Sequence, residues 1–230
     1  MGLISPKNGM KKNIAGLVVY VLALMCVSQL YAQSNASSPT TRNEIGLVIG
    51  ATEVPSIGLA DGGAIHLNSS LALGVEYDRQ LLGRRTALFG GIDFVASPFD
   101  VKASFPSPNV SPQYAYLFLS PNIRLKFNQG GALQPWLLFG GGYADFAPAQ
   151  PHAGGVNVAG AGSTGTLEFG GGLDTKPLVR LGGIPLIGKL PIGARLEVRD
   201  FYSGQPNYGV PTDGNRQNSL VFTSGLLLRF

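Results

Sequence analysis

The chain has 230 residues, with 17 Lys and Arg against 13 Asp and Glu, and its only cysteine is Cys26. Lys7, Lys11 and Lys12 precede an apolar run at residues 14–26. The chain that follows this run carries the other 14 cations and all 13 carboxylates. A nearly neutral chain has no basic footprint for nucleic acid, and a single cysteine excludes an internal disulfide.

Residues 1–32 have the three parts of a secretory signal: a cationic start, an apolar run of about a dozen residues, and a polar stretch that ends at Ala32. The apolar run is too short to cross a bilayer as a helix. We therefore expect a cleaved leader at 1–32, a short periplasmic linker at 33–42, and one domain at 43–230.

Beyond the leader, apolar and polar residues alternate in segments that clusters of Pro, Gly, Asn and Ser separate, as is typical of β-strands. Eight segments show this alternation, at residues 43–53, 69–81, 86–96, 114–127, 133–146, 165–175, 192–202 and 218–230. Each reaches the roughly 9 to 11 residues that a tilted strand needs to cross a bilayer, about twice the length of a typical soluble strand. The sequence thus predicts an all-β, eight-stranded antiparallel up-and-down transmembrane β-barrel.

The alternation divides most segments into an apolar face and a face of small or ionisable residues. In the first segment, for example, Leu47 and Ile49 oppose Glu44. The fifth segment alternates poorly, and both orientations of its faces stay open. The ionisable faces together supply this set: Glu44, Glu76, Asp93, Arg124, Lys126, Glu168, Asp174, Arg195, Glu197 and Arg199.

A lipocalin-type barrel hides its apolar face and leaves charges in water. A narrow eight-stranded barrel filled with ionisable side chains indicates the reverse, an apolar outside that contacts lipid. Because an unpaired buried charge is costly, we expect the interior set to form a closed network of salt bridges. A gated ion path is the alternative.

The connections alternate in length, as in outer-membrane barrels. Short turns at 82–85 and 128–132 contrast with long loops at 53–68, 97–113, 147–164 and 203–217, which we expect to be extracellular. The connection at 176–191 is too long for a turn. It is either a hairpin extension beyond the membrane or a ninth and tenth strand, and Pro185 and Pro191 favour the extension because proline suits interior strands poorly.

Aromatic residues at the ends of strands are typical of the membrane interface. We expect Tyr77, Trp136 and Tyr143 to be such interfacial anchors. We also expect a ring such as that of Tyr143 or Phe169 to cover a glycine of the paired strand.

The last segment carries the most specific motif of the chain, with Phe222, Leu226, Leu228 and Phe230 at alternate positions. It resembles the C-terminal signal that the barrel-assembly machinery reads, and residues 43–230 resemble the small outer-membrane barrels of the OmpA and OmpX type. This resemblance implies a location in the outer membrane of a Gram-negative bacterium. It implies as partners outer-membrane lipid, lipopolysaccharide and, during biogenesis, the assembly machinery, and we expect a monomer.

His66 and His152 are the only histidines, and both lie in expected extracellular loops. His66 with Ser69 and Ser70 superficially resembles the His–Ser pair of lipid A-modifying barrels, but the spacing differs, and two isolated histidines make a poor metal site. We therefore expect no catalytic residue, metal or cofactor. The expected function is a structural or surface-interaction role; the alternatives are a lipid A-modifying enzyme and a narrow pore for small solutes.

Overall fold

The computed structural model describes residues 42–104, 113–148, 159–184 and 188–230. The expected leader at 1–32, the expected linker up to residue 41, and His152 lie outside these ranges. Among the described residues, no helix is long and apolar enough to cross a bilayer.

The described residues form eleven β-strands. In chain order they are β1 (Asn43–Glu53), β2 (Ile57–Gly58), β3 (Ala64–Leu67), β4 (Ser70–Gly83), β5 (Ala87–Ser104), β6 (Gln113–Lys126), β7 (Leu133–Pro148), β8 (Gly162–Thr175), β9 (Val179–Ile184), β10 (Gly188–Gly204) and β11 (Arg216–Arg229). Eight of them close a barrel in the order β1, β4, β5, β6, β7, β8, β10 and β11, and every neighbouring pair is antiparallel. The prediction of an all-β, eight-stranded antiparallel barrel is confirmed.

The first and last barrel strands close the sheet. β1 pairs with β11 from Glu44 opposite Arg229 to Glu53 opposite Leu220, and Asn43 and Phe230 exchange two backbone hydrogen bonds of 2.9 Å. Residue pairs traced once around the barrel from Asn43 lead back to β1 at Glu53, ten residues further along. This stagger means that the strands are tilted, so side chains at one height come from widely separated positions of the sequence.

We call the end of the barrel that holds Asn43 and Phe230 the terminal end and the opposite end the loop end. At the loop end, β5 runs to Ser104, well past the predicted strand at 86–96. A register shift between Ser97 and Val101 interrupts the alternation there while the strand continues, which is the usual effect of a bulge. The extension pairs with β3, and β3 pairs with β2, so the first long loop contains its own small hairpin.

The connection at 176–191 forms the hairpin extension. β9 pairs only with β10, with Val179 opposite Ile192, and the Leu178 N–H donates to the Ile192 carbonyl at 2.8 Å. β9 therefore continues the course of β8 beyond the terminal end without entering the barrel. The alternative of a ninth and tenth barrel strand is wrong.

The outer face of the barrel is apolar. Seven of the eight barrel strands expose large apolar side chains, and β5 adds the half-buried Ile92 and Phe94. The exposed set includes Leu47, Ile49, Leu73, Val75, Ile123, Leu125, Leu137, Phe139, Leu167, Phe169, Leu196, Val198, Phe222 and Leu226. The core of the protein is the barrel interior, whose terminal half and loop half differ in chemistry.

Candidate functional site: the barrel interior and its loop cap

The terminal half of the interior holds twelve buried ionisable residues, which we call the charged interior. Seven are carboxylates: Glu44, Glu76, Asp78, Asp93, Glu168, Asp174 and Glu197. Five are cations: Arg124, Lys126, Arg195, Arg199 and Arg229. The alternation of the strands brings all of them to the inner face, and the ten residues that the sequence predicts for the interior are among them.

Arg199 joins four carboxylates from four different strands. Its Nη1 donates to Asp93 Oδ2 at 2.7 Å and to Glu168 Oε1 at 3.1 Å. Its Nη2 donates to Glu197 Oε2 at 2.8 Å and also to Glu76. Because guanidinium presents its donors in a planar fork, one side chain can hold this whole group of carboxylates together.

Arg195 and Arg124 continue the network toward the terminal end. Arg195 donates from Nε and Nη2 to the two carboxylate oxygens of Asp174, at 2.8 and 2.9 Å, which is a bidentate pair. Arg124 donates to Asp78 and, at 3.2 Å, to Glu76 Oε2. Glu76 thus contacts three arginines, Arg124, Arg195 and Arg199.

The network ends at the terminal end in a smaller group. Lys126 Nζ donates to Asp174 Oδ2 at 2.5 Å and to Glu44. Arg229 Nε donates to Glu44 Oε1 at 3.1 Å, and its Nη2 donates to Gln134 Oε1 at 3.3 Å. Glu44 therefore links β1 to β6 and β11, the neighbour that closes the barrel.

Trp136 lies inside the barrel, so its prediction as an interfacial anchor is corrected here. It is 2% exposed, and its Nε1 donates to Asp174 Oδ1 at 3.0 Å. The guanidinium carbon of Arg124 lies 4.2 Å from the ring centroid, a cation–π contact. The indole turns inward because β7 places Leu137 and Phe139 outside, and because its N–H finds a buried carboxylate there.

Trp136 also decides where a ring covers a glycine. A Cβ on Gly172, the residue opposite Trp136 in β8, would lie 2.5 Å from the indole Cζ2. The residue pattern predicted Tyr143 or Phe169 in this role. Phe169 instead packs against Phe139 on the outer face, with ring centroids 5.3 Å apart.

Aromatic residues fill the loop half of the interior, and we call them the aromatic plug: Tyr114, Tyr116, Phe118, Phe146 and Phe201. Phe118 stacks on Phe201 with ring centroids 4.3 Å apart and planes at 8°. Phe146 meets both Tyr114 and Phe118 edge to face. The expectation of a salt-bridged interior therefore describes the terminal half only. The plug residues lie on the inward faces of β6, β7 and β10, in alternation with Ser120, Trp136 and Arg199. Continuing the alternation along those strands is the signal that identifies them.

The first and fourth loops cover the aromatic plug. Four residues of the first loop, Val54, Ile57, Leu59 and Ile65, pack into the same apolar cluster together with Tyr208 of the fourth loop. Burial raises the pKa of the Tyr208 hydroxyl, which stays protonated and donates to Gln217 Oε1 at 2.5 Å.

Backbone hydrogen bonds tie these loops together. The Asp213 N–H donates to the Gly58 carbonyl at 3.0 Å, and the Gly160 N–H of the third loop donates to the Asn207 carbonyl at 2.7 Å. A cleft of about 380 Å³ remains between the first and fourth loops, lined by residues that include Ser56, Gln205 and Arg216. The described part of the loop end is thus a folded surface above a filled barrel.

The remaining predicted residues lie on or near the outer face. Phe222 and Leu226 are about half exposed there, and Leu228 and Phe230 are partly buried beside β1 and β10. Tyr77 lies toward the terminal end, where its hydroxyl donates to Asn43 Oδ1 at 3.0 Å, and Tyr143 lies toward the loop end and is 45% exposed.

His66 contacts a serine other than the two considered from the sequence. Its Nδ1 lies 2.9 Å from Ser56 Oγ, on the exposed surface of the first loop. Ser69 donates to Glu53, and Ser70 contacts Ser97. The structure therefore does not bring His66 together with Ser69 or Ser70.

No protein-family model matches the chain, and no curated protein matches it in sequence. Solved structures do match. Neisserial surface protein A (NspA) aligns with a TM-score of 0.50 at 10% identity, over 82% of this chain and 97% of that chain. The chain has the fold of the small outer-membrane barrels. Identity this low establishes the fold alone.

Two further matches have lower TM-scores. The outer membrane enzyme PagL aligns with a TM-score of 0.40 at 16% identity, over 79% of this chain and 97% of that chain. Ail, the attachment invasion locus protein of Yersinia pestis, aligns with a TM-score of 0.41 at 14% identity, over 82% of this chain and 99% of that chain.

Proposed function

We propose that this chain is an outer-membrane protein whose barrel is a closed, rigid support for a folded loop surface that makes the protein's external contacts. The observation that carries the proposal is the polarity of the barrel, which is apolar outside and charged inside. Transfer of a Leu or Phe side chain out of water stabilises a protein by about 1.5 to 3 kcal/mol. An apolar outer face on all eight strands therefore favours a lipid surrounding.

The filled interior supports a structural role over transport. In its terminal half, four of the five cations each contact two or more carboxylates. In its loop half, stacked rings occupy the space that an aqueous path would need. The first and fourth loops then cover the rings. An ion that crosses the barrel would have to displace the salt bridges, the stacked rings and the loops that cover them.

The loop surface is where we expect contacts with partners, since functional residues concentrate on loops that a rigid scaffold positions. Within the described part of this surface, the cleft between the first and fourth loops is a concave feature that a ligand could enter. We propose lipopolysaccharide as the ligand at this end of the barrel. Phe222, Leu226, Leu228 and Phe230 would serve the barrel-assembly machinery before folding is complete.

Cell fractionation combined with gel mobility tests the location. We expect the protein in the outer-membrane fraction, with a band that shifts when the sample is boiled in SDS, because a closed barrel resists the detergent until it is heated. A soluble periplasmic product without a mobility shift would overturn the proposal.

Planar-bilayer recording tests whether the barrel is closed. We expect no conductance steps from the purified protein, and stepwise currents would replace the structural role by that of a narrow pore.

A deletion strain addresses the enzyme alternative. We expect an unchanged lipid A mass spectrum, and a shifted acyl or headgroup mass would favour lipid A modification.

A further inference from the structure

The outward-facing ionisable side chains of the barrel are segregated between its two ends. Among the residues whose side chains the structure describes, which leaves out 98–104, the loop end carries Glu53, Asp61, Asp145, Asp200 and Asp213, with Arg216 as a cation. At the terminal end, the outward-facing ionisable residues whose side chains are described, which leaves out 183–189, are all cations: Arg42, Arg79, Arg84, Arg85, Lys176 and Arg180. We call these six cations the basic collar.

No carboxylate side chain forms an ion pair with the basic collar within the described part of the protein. The ion pairs found there join interior residues to one another, and none involves a collar residue. The contrast with the charged interior is sharp, since there each cation contacts at least one carboxylate. The six collar side chains therefore make no ion pair within the described part of the protein and are available to a partner at this end.

Exposed apolar residues stand directly beside the collar cations. At the end of β4, Leu81 and Leu82 are 55% and 67% exposed and precede Arg84 and Arg85 of the turn to β5. In the hairpin extension, Leu178 and Val179 are 64% and 57% exposed, between Lys176 and Arg180. Interleaved apolar and cationic side chains are typical of segments that lie in the interface of an anionic membrane.

The turn between β4 and β5, with the end of β4, and the hairpin extension form two apolar and cationic tips. These two tips lie on opposite sides of the barrel. Two strands, β6 and β7, separate β5 from β8 in one direction around it, and β11 and β1 separate β10 from β4 in the other. The turn between β6 and β7, at 127–132, reaches the same end and carries no ionisable residue. Contacts at two opposite points can fix how deeply the barrel sits in a bilayer and limit its tilt.

We propose that the basic collar binds the phosphate groups of anionic phospholipids in the leaflet at the terminal end, with the two apolar tips inserted among the acyl chains. Lysine and arginine both attract phosphate, arginine also through bidentate hydrogen bonds, and lipid phosphates supply the ion-pair partners that the collar lacks within the described protein. A soluble polyanion would satisfy the cations but would leave the leucines in water. A phospholipid surface accounts for both. This inference rests on the proposed location of the barrel in a membrane.

Electron spin resonance of spin-labelled lipids tests the proposal on the full-length protein in phosphatidylcholine vesicles. It compares how strongly spin-labelled phosphatidylglycerol and spin-labelled phosphatidylcholine associate with the barrel. We expect a preference of at least about twofold for phosphatidylglycerol, since each cation near an anionic surface contributes favourably. The preference should weaken in high salt, which screens exposed charges.

The test variant replaces the four tip cations by glutamine: Arg84→Gln, Arg85→Gln, Lys176→Gln and Arg180→Gln. It should lose most of the preference, while Arg216→Gln at the loop end and a charge-preserving variant, Arg84→Lys with Arg85→Lys, should retain it. A wild-type ratio near one, or an unchanged ratio in the glutamine variant, overturns the inference.

The heat-dependent mobility shift is measured on the same samples. A chain that does not incorporate contradicts the proposed function, whereas a chain that incorporates without lipid preference contradicts only this inference. A glutamine variant that keeps its lipid preference but no longer sediments with peptidoglycan would assign the collar to that polymer instead.

Discussion

In the terminal half of the barrel interior, most buried cations contact several carboxylates, whereas in the loop half aromatic rings pack on one another and on apolar loop residues. The two halves close the same cylinder by different means. A charge network stabilises only while its pairing is complete, because one lost partner leaves other charges buried and unpaired. A packed apolar cluster loses stability in proportion to the volume that is removed. Substitutions in the two halves should therefore differ in how much stability they cost and in which further substitution restores it.

Replacement of Arg199 should have the largest effect. Arg199→Met leaves four carboxylates without this partner, and we expect a loss of about 4 kcal/mol in the free energy of unfolding. Urea unfolding in detergent micelles measures it through the fluorescence of Trp136, the single tryptophan, which lies in the charged interior.

Two further variants make the Arg199 result specific. Arg216→Met at the exposed rim should change the free energy of unfolding by less than about 0.5 kcal/mol. Arg199→Met combined with Glu168→Gln and Glu197→Gln should recover part of the loss, because fewer charges then remain unpaired. Wild-type stability of Arg199→Met would show that the network does not depend on its central cation.

Truncation in the aromatic plug should cost somewhat less. Phe118→Ala removes a ring that stacks on Phe201 at 4.3 Å and meets Phe146 at 6.3 Å, and we expect a loss of about 3 kcal/mol. Phe118→Leu refills most of the volume and should lose about half as much. The same urea titration measures both, and equal losses for Ala and Leu would argue that ring stacking, and not volume, holds the plug.

Of the three main substitutions, Gly172→Ala, where the charged interior meets the wall of the barrel, should have the smallest effect. A Cβ on Gly172 would lie 2.5 Å from the Trp136 ring and 2.4 Å from the Leu196 carbonyl oxygen, so Gly172→Ala should cost about 2 kcal/mol through displacement of both. It should also shift the emission of Trp136. Gly182→Ala is the matched control, since the described structure places no atom within 4 Å of that Cβ; similar losses in both variants would count against crowding by the indole.

The alternation of residues was enough to predict most of the strands. β1 has the bounds that the sequence predicts, and the inward positions of Glu76, Arg124 and Arg199 follow from period two alone. β5 was predicted too short because a bulge breaks the alternation while the backbone pairing continues. Trp136 was misplaced because its segment has apolar residues on both faces, so the pattern does not say which face is inside.

The order of residues along each strand is enough to say which side chains share a face, since neighbouring residues of a strand point to opposite sides whatever the strand pairs with. Which of the inward side chains meet depends on how the strands pair and close. Arg199 and Glu76 are 123 residues apart, and they lie at one height because the closed barrel is staggered by ten residues. The boundary between charges and rings follows from that stagger, because closure and tilt together set the height of each inward residue.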